Sequence, residues 1–268
     1  MRFRVLMFPV RKDKIQAVII VGIVLVTGIV VQAVCPSSCD CKREIEADCS
    51  NRSFNSLPFG GFSRNLQRFD ISFNNIKVIE GLTMRRRNIP SLMHLNLSNN
   101  IINKIENVAF MGLGDLQVID LSSNNITTLH NDTFRYPPKL KWLSLAYNHL
   151  QVLLGIPFLI SDSLEVLHLE HCGFTEISFH TFERITYLRE LYLSKNDIKT
   201  IIPDSGSSLR QLKVLNLSDN LLKRLHEEVI SLPNLENLNY TNNKIKSVNE
   251  MFDLSSGNSV DCESHSEL

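Results

Sequence analysis

Eight blocks approximating L-x-x-L-x-L-x-x-N-x-L follow one another, beginning at Leu66, Leu92, Leu116, Leu140, Leu164, Leu188, Leu212 and Leu235. The intervals are 26, then five of 24, then 23 residues. A near-constant period excludes an ordinary compact core. Each unit buries its apolar faces only against the units before and after it, so the chain has to stack coil upon coil.

Within a block, x-L-x-L-x reads as a short strand whose leucines face inward while the intervening residues face out. Asn74, Asn100, Asn124, Asn148, Asn196, Asn220 and Asn243 stand where the chain leaves that strand. An amide satisfies both backbone donors and acceptors, so a ladder of side chains linking neighbouring turns is predicted. Ile105, Leu129, Leu153, Ile177, Ile201, Leu225 and Val248 are predicted to point inward. Phe110, Phe134, Phe158 and Phe182 recur 18 positions after their block starts, which predicts a spine of rings behind the sheet. Gly206 interrupts it.

Cys35, Cys39, Cys41 and Cys49 precede the first block. In an oxidising compartment this density reads as a disulfide staple, with zinc the disfavoured alternative. The expected pairing is first with third and second with fourth, though spacing alone leaves connectivity open. Arg2, Arg4, Arg11, Lys12 and Lys14 flank or precede the apolar run Ile15–Val31, and Val31-Gln32-Ala33 offers a cleavage site. The run of about 17 residues also approaches the length of a membrane span. Residues 1–34 are therefore read as a cleaved signal peptide or an uncleaved signal anchor, with residues 15–34 the tether in the second case. Both readings place everything after Cys35 outside the cytosol, secreted or as a type II membrane-anchored protein.

Blocks and cysteines together resemble the extracellular leucine-rich repeat family. They are similar to its 24-residue typical class with an amino-terminal cysteine-rich cap, as in Slit-like, Toll-like and small leucine-rich proteoglycan ectodomains. The resemblance covers Cys35 to about Val248. It implies an α/β solenoid: a right-handed horseshoe with a parallel β-sheet on the concave face and a mostly irregular or short-helical convex side. The implied divisions are 1–34 targeting, 35–65 cap, 66–248 eight repeats, and 249–268 a tail without a cysteine-rich cap. Such a resemblance is specific for fold and far less so for function.

The outward strand positions form two columns. One runs Arg68, His94, Val118, Trp142, Val166, Glu190, Val214, Asn237. The next runs Asp70, Asn96, Asp120, Ser144, His168, Tyr192, Asn216, Asn239. Phe73, Asn99, Ser123, Tyr147, His171, Lys195, Asp219 and Asn242 follow at the strand exit. Folding does not require apolar residues at these places, yet the single tryptophan and several other rings gather in repeats three to six. Aromatic anchors dominate protein interfaces, although scattered exposed aromatics are also ordinary. Val118, Trp142, Tyr147, Val166, His168, His171, Glu190 and Tyr192 are the candidate ligand-binding residues.

His168, Glu170, His171 and Cys172 stand within five positions in VLHLEHCGF, which raises metal binding or proton transfer. The repeat supplies a plainer reading. Cys172 takes an asparagine slot, His168 and Glu170 project from one strand, and His171 begins a turn flanked by Tyr147 and Lys195. No metal site, cofactor or catalytic residue is expected, and no G-x-S-x-G, Walker loop, H-E-x-x-H or triad occurs.

Six N-x-[ST] sequons stand at Asn51, Asn96, Asn125, Asn131, Asn216 and Asn239. Glycans at Asn96, Asn216 and Asn239 would cover the two ends of the face and leave its aromatic middle bare. Arg85-Arg86-Arg87 reads as a solvated loop, with a sulfated polysaccharide site or a processing site as alternatives. In the tail, Met251, Phe252 and Leu254 are candidates to cover the last coil, and Cys262 for a disulfide to a partner. Formal net charge is zero, but beyond residue 34 the chain carries 23 bases against 27 acids, which argues against nucleic acid. The function expected is recognition of an extracellular protein or glycan on the concave face, in adhesion, matrix or innate immune recognition. A structural matrix component and an inhibitor of a secreted enzyme are the alternatives.

Overall fold

A computed structural model describes residues 35–58, 61–202 and 209–245. The targeting segment, Gly206, Val248 and the tail with Cys262 lie outside the described residues.

Each block supplies one three-residue strand, from Arg68–Asp70 through Trp142–Ser144 to Asn237–Asn239, and all eight pair in parallel in chain order. Register is uniform. Val118 lies beside Trp142, Trp142 beside Val166, and Val166 beside Glu190. Asp120, Ser144, His168 and Tyr192 likewise line up on successive rungs. The sheet has ten strands rather than the eight expected from the repeats. The cap adds an antiparallel hairpin, Asp40–Lys42 with Glu46–Asp48, whose second strand runs parallel to Arg68–Asp70. Disulfides Cys35–Cys41 and Cys39–Cys49 hold this hairpin, and Cys39, Ala47 and Cys49 join the core. Among the described residues, the return path of each coil carries only two-stranded pairs and short helical turns such as Asn131–Phe134 and Phe179–Phe182.

Burial follows the pleat. Leu95, Ile119, Leu143, Leu167, Leu191 and Leu215 are each at most 1% exposed, while their strand neighbours face out. Phe110, Phe134, Phe158 and Phe182 are all buried, and the first two stack with centroids 5.4 Å apart. One inward assignment fails: Leu153 is 67% exposed. Val152 packs against the core one residue early, so alternation turns Leu153 outward. Gly155, at φ +74°, then redirects the chain so that Phe158 regains its buried place.

The asparagine ladder is explicit. In Asn124 the amide nitrogen donates to Leu97 O of the preceding coil, and the amide oxygen accepts from that coil's Ile102 N–H. Asn100, Asn148, Asn220 and Asn243 repeat the pattern. Asn196 accepts from both Cys172 and Phe174. Cys172 replaces the amide in one rung. Its thiol, 3.3 Å from Leu145 O, supplies the donor, but there is no amide oxygen for the coil before.

A second ladder uses a backbone conformation that the sequence does not announce. The residue after each strand exit has φ between +53° and +57°: Phe73, Asn99, Ser123, Tyr147, His171, Lys195, Asp219 and Asn242. From Phe73 to Asp219 this turn aims the N–H at the next coil, as in Tyr147 N–H to Glu170 O at 2.8 Å and Lys195 N–H to Ser218 O at 3.0 Å. Left-handed backbone costs a non-glycine residue on the order of 1 kcal/mol or more, least for Asn and Asp.

Two outcomes are expected. Cys172→Asn completes the ladder and raises the melting temperature by about 2–4 °C, read by calorimetry; a lower value would contradict the account. Replacing Cys39 and Cys49 together by Ser costs about 3 kcal/mol in denaturant unfolding. An unchanged midpoint would mean that strand pairing alone holds the cap.

Candidate functional site

The second outward column obeys a local rule that explains its composition. At each strand end the side chain accepts a hydrogen bond from the N–H two residues on, closing a small turn. Asp48 accepts from Ser50, Asp70 from Ser72, Asn96 from Ser98 and Asp120 from Ser122, at 2.9–3.0 Å. Asn216 and Asn239 do the same for Ser218 and Thr241, and Ser144 more weakly for Ala146 at 3.4 Å. The asparagines of the N-x-[ST] patterns at residues 96, 216 and 239 therefore serve the turn, and at Asn239 the Thr241 hydroxyl joins in. Asn96 also donates its amide nitrogen to Asp70 Oδ2 at 3.1 Å. Asn51, Asn125 and Asn239 are exposed, while Asn96, Asn131 and Asn216 are half-buried.

Two adjacent rungs break the rule. His168 and Tyr192 carry rings where the turn wants a short oxygen acceptor. These rings stack nearly parallel, with centroids 4.4 Å apart and planes 4° from each other. Trp142 continues the array, 5.1 Å from His168 at a 47° tilt. Carboxylates fix the array from the side. His168 Nδ1 is 2.8 Å from Glu170 Oε1, and the Tyr192 hydroxyl donates to Glu190 Oε2 at 2.8 Å. Burial, reinforced by that bond to Glu190, pushes the Tyr192 phenol up to about 12, so it stays protonated. The result is a pre-set surface in which little side-chain freedom is left to lose on binding.

A second pair of rings stands at the strand exit. Tyr147 and His171 stack at 4.8 Å and 17°, both on left-handed backbone, and Tyr147 is 50% exposed. Between the two arrays lies a cavity of about 370 Å³ lined by Trp142, Ser144, Tyr147, His168, Glu170 and Lys195. On the other side of Trp142 a groove of about 440 Å³ runs back to the cap hairpin, with Val118 in its wall. Trp142 thus separates two depressions. Val166 is half-buried between Trp142 and Glu190 on the first column. The structure brings all eight sequence candidates onto this face.

Several participants lie outside the eight ligand-binding candidates, among them Glu170, which the sequence places beside His168. Glu170 stands where other repeats carry Ser72, Ser98, Ser122, Ser194 and Ser218, a departure visible in the aligned blocks. Its Oε2 is buried without a partner among the described residues. His94 and the acidic side chains of the groove were placed on the face but not singled out. Burial, then the neighbouring Arg68 charge, lowers the His94 pKa, so the ring is neutral at pH 7, and its buried Nδ1 also finds no partner. Phe73, 60% exposed, was assigned to the exit column but not to the site.

Cys172 is no nucleophile. Burial, aided by the Glu170 charge, pushes its thiol up to about 12, and a thiol rather than a thiolate is unreactive. No group of three metal-binding side chains occurs among the described residues, and none of their helices is long and apolar enough to cross a membrane.

The leucine rich repeat family pattern matches residues 90–150 and 162–222. Chaoptin of Drosophila melanogaster is 28% identical over 190 residues, which is 70% of this chain and 14% of chaoptin. This chain spans only a small part of that relative. Human 5T4, also called Wnt-activated inhibitory factor 1 or trophoblast glycoprotein, superposes with a TM-score of 0.64 at 26% identity. That match covers 78% of this chain and 81% of 5T4. TLR13, crystallised in a complex with ssRNA13, superposes with a TM-score of 0.52 at 26% identity, over 69% of this chain and 30% of TLR13. With its repeated coils, parallel sheet and disulfide-bonded first hairpin, the chain belongs to the leucine-rich repeat family, as a member of the extracellular type with an amino-terminal cysteine cap.

Proposed function

We propose that the chain is an extracellular recognition module that binds a protein ligand on the open face of its sheet. Trp142, His168 and Tyr192 are the anchors, with Tyr147, His171 and Val118 around them. One observation carries this reading: at residues 168 and 192 the turn acceptor used by the other rungs is given up, and rings are stacked and braced in its place. A local rule broken without structural gain points to a role outside the fold. The aromatic residues at left-handed positions add weight, because asparagine would fold more easily there.

Energetics favour a protein partner. Rigid, half-buried Trp and Tyr side chains supply contact area at low entropic cost, and residues of this kind are the hot spots of interfaces. Among the described residues no three metal-binding side chains gather on the face. The similarity to chaoptin, 5T4 and TLR13 supports recognition, and the apolar sequence 15–34 supports a module outside the cytosol, secreted or tethered.

The labelled, secreted chain, screened against displayed cell-surface proteins, is expected to find a saturable ligand. Trp142→Ala and Tyr192→Ala should each weaken that complex by about 30-fold, with melting curves unchanged. Folded variants that bind as well as the wild type would overturn the assignment.

A further inference from the structure

The groove on the cap side of Trp142 carries charge that the fold does not ask for. Its walls include Asp40, Glu46, Asp48, Asp70 and Asp120 against two bases, Lys42 and Arg68. Asp40 is bound to Arg52 at 2.7 Å, and Arg68 lies 4.0 Å from Glu46. No basic side chain is paired with Asp48, Asp70 or Asp120 among the described residues. All three stand on the second column, where Asp48 is directly beside Asp70 and one asparagine rung separates Asp70 from Asp120. Like charges on adjacent strands oppose folding.

The turn does not require the charge. It uses one side-chain oxygen, which Asn96, Asn216 and Asn239 provide without ionisation. The Asp48 charge is favoured by its bonds from Ser50 and by the nearby Arg52 and Lys42, which leaves Asp70 and Asp120 as carboxylates whose charge the turn does not use. Trp142 closes the groove at its far end. Carboxylates and an indole together suit one kind of group, a guanidinium or ammonium.

We propose that this groove receives an arginine- or lysine-bearing segment of the protein ligand, held by Asp70 and Asp120 and packed against Trp142. The inference rests on the recognition reading above and names the chemistry of its partner. It separates this face from polyanions: a sulfated glycan or a nucleic acid strand would meet an acidic wall. It also requires Asn96, which lines the groove, to be free of glycan.

Trp142 is the only tryptophan of the 268 residues, so its fluorescence reports on its own surroundings, the groove on one side and the cavity on the other. The full secreted chain would be titrated with the peptide acetyl-Gly-Arg-Gly-Arg-Gly-Arg-amide, its glutamate counterpart and heparin. The arginine peptide is expected to change the emission saturably, more weakly as salt rises, while the other two leave it unchanged. Asp70→Ser with Asp120→Ser should weaken the response roughly tenfold. Serine is chosen because it already serves the turn at Ser144, whereas asparagine would complete a sequon with Ser72 or Ser122. An equal response to heparin or to the glutamate peptide, an undiminished response in the double variant, or a glycan on Asn96 would each overturn the proposal. If Trp142→Ala destroys ligand binding while the double serine variant binds fully, the recognition reading stands and this one falls.

Discussion

Among the described residues, every repeat except the one carrying Cys172 is held by a side-chain amide reaching back to the coil before it. A leucine-lined strand alone gives no reason for the chain to turn sharply and run behind the sheet, because the turn buries backbone groups that water can no longer satisfy. Asn124 and its equivalents answer that need with a donor and an acceptor at once. The left-handed residue that precedes each of them adds a backbone bond to the coil that follows. Stability is therefore a property of neighbours, passed along the array, and no repeat is complete alone.

This economy leaves one broad surface with no structural duty. Inward leucines, turn asparagines and spine phenylalanines are committed to the fold, while the outward positions of the strands need only tolerate their turn. Most do so with Asp, Asn or Ser. Departures from that rule therefore carry information. His168 and Tyr192 abandon the acceptor for stacked rings, Glu170 replaces a serine and grips His168, and Tyr147 accepts an unfavourable backbone to present its ring.

The repeat, the inward leucines and the columns of the open face were legible in the sequence because strand alternation and period allow no other assignment. The slip at Val152 and Leu153 was not, since both residues are apolar and only Gly155 hints at the altered path. The left-handed exit was hidden because Phe73, Tyr147 and Lys195 carry no glycine signature; the conformation is imposed by hydrogen bonding between coils. The cap hairpin escaped notice because its strands, DCK and EAD, lack alternating apolar residues and owe their place to two disulfides. His168 and Trp142 were recognisable as outward residues, but their stacking across strands depends on side-chain rotation that no periodicity encodes.

That the open sheet face is the contact surface is tested most directly by site-specific photo-crosslinking. A benzophenone amino acid would replace Val166 on the face, and separately Leu154 in the exposed apolar segment between strands. On ligand-bearing cells, a discrete cross-linked species is expected from position 166 and none from position 154. Cross-linking from Leu154 with silence at Val166 would place recognition elsewhere on the solenoid and contradict a contact surface on the open sheet face.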